Sequence, residues 1–548
     1  MAESVHETAQ RLSNEQREIS VSEFFEKNRH LLGYDNKVKA LLTVVREAVD
    51  NSLDACEDAR IVPDIRVSVK PIDEKKERFK VMVEDNGPGI VKEKLNSAFG
   101  SLLHGSKFHR LRQSRGQQGI GISGAILYSQ LTSGKPIKIT SSTGNGKAHT
   151  NEIMIDVAKN KPMILKEESK DEKDWHGIKI QMEVEGKYVE HQQSILEYLK
   201  QTAIANPYAR ITFDSPNGKV KFDRATKTLP PLAKSIKPHP HGIEIGILDR
   251  MLRGTQSRNL SGFLINEFSR VGSTSANEIC KIAKMDKGRK PSELTPQEIE
   301  KLFNAIQSVQ LIKPPLDCLS PLGEKLIEEG LKNQLNCEFV VALTRPPDVY
   351  RGNPFQIEVG IAYGGQLDPA KTATLYRLAN RVPLLYQAGD CAISKAIEEV
   401  EWKRYGLNQS GSSLPSGPLA IFVHMCSVWV PFTSESKEAI ASYPEIIKEV
   451  KLALQEVSRR LSVYIHKKRK VQESQLRSSL FEKYVPEVAE SLFRLTGKDK
   501  HKLILAMEKI LKRGQIQFDE MTADQERVIK AGAKSEEGLK KFVKSDEE

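Results

Sequence analysis

The segment VKALLTVVREAVDNSLDACED, Val38 to Asp58, decides the fold of the first part of the chain, because it predicts a helix with two different faces. Glu47, Asn51 and Asp54, spaced i, i+4 and i+7, fall together on one face at about 100° per residue. An apolar stripe falls on the other face and consists of Val38, Leu41, Leu42, Val45, Val49, Ser52, Leu53 and Cys56. If the stripe packs on a sheet, two carboxylates and an amide project from the opposite side. A solvated polar face is the other interpretation.

A strand pattern follows, in which Phe79, Val81 and Val83 alternate with polar residues. It ends in the sequence DNGPG, residues 85–89, where two glycines within three residues let the backbone turn tightly and approach a flat ligand. Asp85 at this strand end can accept a hydrogen bond from an exocyclic amine. A simple turn is the alternative, since Asp-Asn-Gly is itself turn chemistry.

The third pattern is the glycine-rich run RGQQGIGISG, residues 115–124, after which helical periodicity resumes at Ala125. Backbone N–H groups and the helix dipole at such a helix start can face an anion such as a triphosphate. The run is neither a Walker loop nor, without a preceding apolar strand, a dinucleotide fingerprint. A flexible structural loop explains it as well.

The rest of the chain alternates between strand patterns, helical patterns and a linker. Alternating patterns predict further strands around residues 65–69, 153–157 and 178–184, which together form a sheet covered on one face. The Pro- and Lys-rich stretch 226–242 predicts a linker, and short helical patterns follow, broken at Gly254, Gly262, Gly272 and Gly288. Beyond residue 312, strands are predicted at 339–344, 355–365 and 418–430, with a helix at 391–403. A long helix is expected from about Ser436 through the basic stretch 466–470.

Composition limits the class of protein. A length of 548 residues predicts two to four domains, and 39% hydrophobic residues is ordinary for a folded protein. No run approaches the roughly 18 apolar residues of a membrane span, and the start MAESVHETAQ has no secretory pattern, so a cytoplasmic location is expected. Six cysteines without any C-x-x-C pair argue against a zinc ribbon or a dithiol site. The formal charge of +11 favours a polyanionic partner, although a solvated basic surface would give the same excess.

The three patterns occur in order within about 80 residues, and in that order the sequence resembles the GHKL ATPases, the family of gyrase, MutL, ninety-kilodalton heat-shock chaperones and sensor histidine kinases. The sequence REAVDNSLDA, Arg46 to Ala55, fits a motif that is widespread in that family. The stretches SKFHRLRQSRGQQGIGISGA, residues 106–125, and EWKRYGLNQ, residues 401–409, are more particular and resemble the B subunits of type II DNA topoisomerase VI. The resemblance runs from about residue 20 to about residue 495.

The resemblance implies an ATP and Mg²⁺ site with defined roles. Glu47 is expected to be the general base that orients the attacking water, Asn51 the Mg²⁺ ligand, and Asp85 the acceptor for the adenine amine. Lys403 resembles a transducer lysine that reaches the terminal phosphate, although without its flanking residues it would be taken for a solvated lysine. The triphosphate is expected to be wrapped by Ser106, Lys107, Gly116, Gln117, Gln118, Gly119, Ile120, Gly121, Ile122 and Ser123.

One position departs from the family pattern. After His176 and Gly177 the family usually carries a Thr that supports a water-mediated contact to adenine, whereas this chain has Ile178. That contact must be lost or replaced, which puts base selectivity in doubt. Trp402 and Tyr405 are expected to be packing residues.

The implied fold class is a multidomain α/β protein with a GHKL (Bergerat) α/β sandwich ATPase domain, a small helix-two-turn-helix module, and an α/β transducer domain with a long C-terminal helix. The expected boundaries are a mobile N-terminal arm at 1–20, the ATPase domain at 21–228, a linker at 229–242, the helical module at 243–311, the transducer at 312–470 and a helical segment with a charged tail at 471–548.

The resemblance also implies partners. ATP binding is expected to dimerise two ATPase domains with exchange of the N-terminal arm, closing a gate around double-stranded DNA. A DNA-cleaving A subunit is expected to complete an A2B2 heterotetramer, because none of the 13 tyrosines here stands in a recognisable cleavage motif. The helical module and the basic residues 467–470 are candidate phosphate-facing surfaces, although a charge run is usually a solvated face.

Three other functions stay open at this point. A mismatch-repair clamp of the GHKL type shares the ATPase and transducer domains but should lack the helical module at 243–311. A chaperone would have no role on DNA. A histidine kinase fits least well, because a phospho-accepting helix should precede the ATPase domain and only about twenty residues do.

Overall fold

The computed structural model describes residues 5–15, 19–73, 77–105, 110–116, 119–411, 413–434, 436–497, 499–507 and 509–510. The chain divides into two compact units, Met1–Leu461 and Ser462–Glu548. The second unit is helical in its described residues. The nucleotide site described below lies in the first unit.

An eight-stranded sheet organises the N-terminal half, with strand order β5-β4-β3-β6-β2-β1-β7-β8. Strands β1 and β7 pair in parallel, and the other neighbours are antiparallel. Its strands are β1 Asp64–Asp73, β2 Arg78–Glu84, β3 Ile137–Ser142, β4 Lys147–Asp156, β5 Lys161–Asp171, β6 Gly177–Glu185, β7 Arg210–Ser215 and β8 Gly218–Phe222. The four alternating patterns in the sequence all form strands of this sheet, with Val157 just past the end of β4.

The helices of this half are α1 Val5–Glu15, α2 Val21–Lys27, α3 Lys37–Asp58, α4 Lys92–Gly100, α5 Gly121–Ser133 and α6 Ile195–Ala205. Helices α3, α4, α5 and α6 pack against the sheet, and α3, α4 and α5 supply walls of the site. Part of the stretch expected to be a mobile N-terminal arm, residues 1–20, thus forms helix α1.

Helix α3 is the predicted two-faced helix. Asn36 caps it by accepting a hydrogen bond from the Lys39 backbone N–H, which satisfies one of the free donors at the helix start. In the predicted apolar stripe Val38 is half-buried and the other seven residues are buried. Its opposite face is also enclosed, since Glu47 and Asp54 are only 8% and 6% exposed. The solvated-face interpretation is therefore wrong, and two carboxylates sit inside the protein.

The stretch predicted as a linker, residues 229–242, contains no strand or α-helix and only a short 3-10 turn at Pro240–Gly242. It packs along its length, because Ala233 and His239 are buried and Ile236 forms a bridge with Leu111. A four-helix module with its own apolar core follows. Its helices are α7 Ile245–Gly254, α8 Leu260–Glu267, α9 Ser273–Ala283 and α10 Pro296–Ser308. Gly262 was wrongly predicted as a break and lies within α8.

A second sheet follows, with order β10-β11-β14-β12-β13 and β9 paired with β11. Its strands are β9 Phe339–Thr344, β10 Asp348–Tyr350, β11 Asn353–Tyr363, β12 Thr374–Ala379, β13 Val382–Pro383 and β14 Leu419–Ser427. The accompanying helices are α11 Glu324–Leu335, α12 Ala392–Glu398 and α13 Pro444–Thr496. The three predicted strands are confirmed as β9, β11 and β14, whereas β12 and α11 were not anticipated.

Two helix boundaries differ from the prediction and both bear on function. The helix expected at 391–403 ends at Glu398, and Lys403 lies in a separate 3-10 turn, Trp402–Tyr405. The long helix begins at Pro444 and not near Ser436. This start is expected because proline is favoured in the first turn of a helix. The eight residues before Pro444 are therefore free to form a loop.

Within the described part of the chain, no helix is long and apolar enough to cross a membrane. All six cysteines lie in described residues and are free thiols, five of them buried. Trp402 is fully buried, which confirms its predicted packing role.

Candidate nucleotide site

A cavity of about 800 Å³ lies where the three sequence patterns meet. Such a volume is in the range of small-molecule and cofactor sites. Among its lining residues are Glu47 and Asn51 from α3, Asp85 from the end of β2, and the glycine-rich run represented by Gly116, Gly119, Ile120, Gly121, Ile122 and Ser123. Four of the predicted phosphate contacts, Ser106, Lys107, Gln117 and Gln118, lie outside the described residues.

Glu47 is held on both sides. Its Oε1 accepts hydrogen bonds from Arg46 Nε at 3.3 Å and Arg46 Nη2 at 3.1 Å. On its other side, a Cβ added to Gly121 would stand 1.9 Å from Oε2. The carboxylate thus touches the first residue of α5, and only a residue without a side chain leaves it room there.

Asp85 forms the opposite end of the cavity and is 4% exposed. Its carboxylate accepts hydrogen bonds from Ser52 Oγ at 2.7 Å, Gly87 N at 2.9 Å and Ile178 N at 3.1 Å. Burial raises the pKa of Asp85, and these three donors oppose the rise. Ser52, which the periodicity assigned to the apolar stripe, therefore has a polar role that the sequence did not reveal.

Ile178, the position that departs from the family pattern, lies directly beside Asp85. Ile178 contacts Asp85 through its N–H, and its side chain lines the cavity. Close approach of β6 needs Gly177, whose φ is +134° and whose added Cβ would lie 2.1 Å from the Asp85 carbonyl oxygen. Trp175 Nε1 also donates to that carbonyl at 3.2 Å. The missing threonine hydroxyl leaves an apolar wall at this position.

The start of helix α5 forms the anion-facing end. Among the described residues no side chain caps α5 at Ile120, so these residues leave the helix N-terminus open to other partners. Asn51 is half-buried beside it, and no described residue hydrogen-bonds its side chain. Gly116 is near, since a Cβ there would lie 3.8 Å from Asn51 Oδ1. An amide oxygen and uncapped helix N–H groups face one space, which suits a metal-bound phosphate chain.

The structure does not bring Lys403 to this site. Lys403 is exposed in its 3-10 turn and is not among the lining residues. Lys437, in the loop before α13, lines the cavity at 9% exposure, and its Nζ donates to the Arg115 carbonyl oxygen at 3.0 Å. The prediction for Lys403 is corrected accordingly: the second sheet's domain does supply a lysine to the cavity, but from another loop.

The loop that carries Lys437 docks on α3 through its neighbours. Arg46 Nη1 donates to the Ser436 carbonyl oxygen at 3.2 Å, so one guanidinium contacts both this loop and Glu47. The Glu438 carboxylate pairs with Lys39. The sequence pattern does not reveal this loop, because residues 436–443 are expected in the long helix whereas that helix begins at Pro444. Pro444 is the signal that could have placed the helix start correctly.

Asp50 is a further acidic group close to Glu47, and no sequence pattern pointed to it. It is 4% exposed, and its Oδ1 accepts from the Tyr198 hydroxyl at 2.8 Å. Burial raises the pKa of Asp50 to about 6; the charge on Glu47 adds to the rise, whereas Lys437 and Arg115 oppose it.

In the described part of the chain, one group of side chains has the composition of a metal site, namely Glu358, His424 and Cys426. His424 Nδ1 donates to Glu358 at 2.8 Å, and its Nε2 accepts from the Arg381 backbone N–H at 2.9 Å. Glu358 also accepts from Leu322 N and Gly323 N, at 2.9 and 2.7 Å. Both ring nitrogens are thus used, and the group is explained as a satisfied buried network.

Comparison with known proteins decides the family. A family model described as "Histidine kinase-, DNA gyrase B-, and HSP90-like ATPase" matches residues 39–181, and one described as "Topoisomerase VI B subunit, transducer" matches residues 314–477. A protein from Methanococcoides burtonii, named as the B subunit of type 2 DNA topoisomerase 6, is 50% identical over 88% of this chain and 78% of its own length. Namesakes from Archaeoglobus fulgidus and Methanosarcina acetivorans are each 48% identical, over 89% and 90% of this chain and 81% and 79% of their own lengths.

The chain belongs to the family of topoisomerase VI B subunits. As a topoisomerase VI B subunit it carries a GHKL-type, ATP-binding domain, and Glu47, Asn51, Asp85 and the glycine-rich run fall within the matched residues. The second sheet belongs to the transducer, which supplies Lys437. Membership of this family excludes the mismatch-repair, chaperone and histidine-kinase alternatives and confirms the predicted fold class.

Proposed function

We propose that this topoisomerase VI chain hydrolyses ATP in the cavity at Glu47 and uses the nucleotide cycle to gate DNA passage. The observation that carries the proposal is the convergence of Glu47, Asn51, Asp85 and the transducer residue Lys437 on one cavity. Two of these groups come from α3, one from the sheet and one from another domain. Because the transducer supplies Lys437 to the cavity, a change in the bound nucleotide can change the position of the transducer relative to the ATPase domain.

Asp85 sits where an adenine would be recognised. Its buried carboxylate is anchored by Ser52 and two backbone N–H groups, so it can accept the exocyclic amine without moving. The apolar wall at Ile178 packs against a flat ring. Adenine recognition in this chain then rests on Asp85 and Ser52 and not on a threonine.

At the other end, Glu47 orients a water and accepts its proton as the water oxygen attacks the terminal phosphorus. The bond from that phosphorus to the bridging oxygen breaks, and ADP leaves with the electron pair. Arg46 fixes the carboxylate in place, and Lys437 contributes positive charge toward the terminal phosphate. Lys437 takes the role that the sequence resemblance assigned to Lys403.

The residues present fit a Mg²⁺ ion. Asn51 offers an amide oxygen to the cavity, a ligand type that Mg²⁺ accepts together with phosphate oxygens and water. The ion supplies neutralisation of phosphate charge when bound. The glycine-rich residues Gly116 and Gly119 to Ser123 would hold the phosphate chain, together with Ser106, Lys107, Gln117 and Gln118.

Family membership supports a partnership with an A subunit and DNA, and the proposed assembly builds on it. ATP binding would dimerise two B subunits, with the arm at residues 1–20 exchanged, and two B subunits would join two DNA-cleaving A subunits in an A2B2 heterotetramer. The closed dimer would pass one duplex through a break made by the A subunits, which relaxes supercoils and decatenates DNA. The helical module and the basic residues 467–470 are the proposed phosphate-facing surfaces.

Glu47→Ala is expected to bind ATP with near wild-type affinity but to lose hydrolysis by on the order of 100-fold or more, because only the group that accepts the proton is removed. Supercoiled DNA would be relaxed by the wild-type chain plus a DNA-cleaving A subunit and ATP, and much more slowly by the variant. Glu93→Ala, on the exposed face of α4, is the control and should behave as wild type. Relaxation at the wild-type rate by Glu47→Ala would contradict the assignment.

A non-hydrolysable ATP analogue is expected to raise the dimer fraction measured by light scattering, because the analogue stabilises whichever state binds it better. Asp85→Ala removes the adenine acceptor and should not dimerise at the same analogue concentration. An unchanged monomer in the wild type would reject the clamp, even if ATP binds.

A further inference from the structure

The segment LRQSR, Leu111 to Arg115, joins the nucleotide cavity to the transducer, and it is called the bridging segment below. The residue that follows it, Gly116, lines the cavity. At its start, the Leu111 carbonyl oxygen accepts from the Ile236 N–H at 3.0 Å, and Gln113 N donates to the Cys318 carbonyl oxygen at 2.9 Å. The segment is therefore fixed by its backbone to residues far along the chain.

Two side-chain amides tie the bridging segment to the transducer. Gln113, 8% exposed, bonds both backbone groups of Ser320: its Nε2 donates to the carbonyl at 3.2 Å and its Oε1 accepts from the N–H at 2.7 Å. Asn380, at the end of β12, donates to the Ser114 carbonyl oxygen at 3.1 Å. Asn380 also exchanges two hydrogen bonds with the backbone of Ser427 at the end of β14. A shift of the segment would thus displace the ends of β12 and β14 through these hydrogen bonds.

Buried charges hold the last residue of the segment. Arg115 contacts Asp54 at 2.8 Å and Glu57 at 2.6 Å, both on the helix that carries Glu47. Arg381 of the transducer reaches the same Glu57 at 2.6 Å. Burial alone would raise the pKa of Glu57, but the two guanidinium groups outweigh it and the pKa is lowered, so Glu57 is charged and bridges both arginines.

We propose that the bridging segment is a second route by which a change at the nucleotide cavity reaches the transducer, and that Gln113 and Asn380 are its positioning residues. This proposal rests on the proposed function. Neither touches the nucleotide cavity. Lys437 reaches the cavity directly. The bridging segment is joined to the cavity wall at Gly116, so a displacement of that wall would move the segment. Buried hydrogen bonds between close-packed elements pass on such a displacement instead of absorbing it.

Hydrogen exchange followed by mass spectrometry on the full chain tests this route, with and without a non-hydrolysable ATP analogue. In wild type the analogue should slow exchange both in α3 and in residues 316–322 and 377–386. In Gln113→Ala the slowing in α3 should persist, while the slowing at 316–322 and 377–386 becomes about threefold smaller, because two of the connecting hydrogen bonds are lost. The KM for ATP should stay within about twofold while kcat falls more. Asn380→Ala cuts the same route from the transducer side and should give the same pattern.

Gln130→Ala is the matched control. Gln130 makes the same pair of bonds to a backbone, with Ile155 at 2.9 and 2.8 Å, but it lies on α5 and contacts neither the bridging segment nor the transducer. Its variant should respond to the analogue as wild type does. The inference is overturned if both route variants keep the wild-type response at 316–322 and 377–386, or if Gln130→Ala loses it equally. No slowing in α3 of the wild type would instead overturn ATP binding itself, and the route with it.

Discussion

Gly121→Ala is expected to lower kcat for ATP hydrolysis by on the order of 100-fold while the protein stays folded. The new Cβ would lie 1.9 Å from Glu47 Oε2 and 2.8 Å from its Cδ. The clash is with the end of a flexible side chain, so the fold can relieve it by swinging the carboxylate away. That movement takes the general base from its place, which is why catalysis suffers more than stability.

Gly246→Ala provides the comparison for this effect. Gly246 also lies in the first turn of a helix, α7, but an added Cβ there meets nothing within 4 Å. Steady-state ATPase rates and thermal melting should show Gly246→Ala equal to wild type in rate and equal or slightly higher in stability, since alanine favours helix. A Gly121→Ala protein that melts normally and hydrolyses ATP at the wild-type rate would show that hydrolysis does not need the Glu47 carboxylate in this position. The assignment of Glu47 as the general base would then be wrong.

Lys437→Ala should lower kcat by about 10- to 1000-fold, because it removes the transducer's positive charge from the cavity. Lys403→Ala, on an exposed turn of the same domain, should leave the ATPase rate within about twofold of wild type. Lys437→Arg keeps the charge but changes its reach, so an intermediate rate is expected. ATPase assays on the three variants, at saturating ATP, measure these differences.

Loss of Lys437 also removes its hydrogen bond to Arg115, so folding has to be monitored alongside the rate. Equal melting temperatures for the two alanine variants, with unequal rates, would tie the effect to charge in the cavity. The reverse result, a slow Lys403→Ala and an unaffected Lys437→Ala, would restore the role that the sequence resemblance gave to Lys403.

Several site residues could be predicted because they belong to short local patterns. Glu47 and Asn51 share one helix face at fixed spacing, and Asp85 ends a strand before two glycines, so each position follows from periodicity or turn chemistry. Their convergence on one cavity agrees with that interpretation. Ser52 escaped detection, since a small hydroxyl on an apolar stripe gives no signal until its partner Asp85 is placed in space.

The lysine assignment shows the opposite case. The chain neighbours of Lys403 resemble those of the transducer lysine, yet Lys403 lies exposed in a 3-10 turn. Lys437 instead enters the cavity because its loop docks on Arg46 and Lys39. Those contacts join residues almost 400 positions apart, and no local period encodes them. The bridging segment is similar, because Gln113 and Ser320 meet only after two domains have packed.

The amino-acid sequence by itself determined four strands of the first sheet, three of the second, the two-faced helix α3 and the chemical kinds of group at the site, because these depend on neighbours within a few residues. The tertiary structure alone decided which lysine reaches the cavity, why the carboxylates of α3 are enclosed, and how Arg115 and Arg381 come to share Glu57. These outcomes depend on burial and on pairing between distant segments, and a charge acquires a partner only when packing removes water from both.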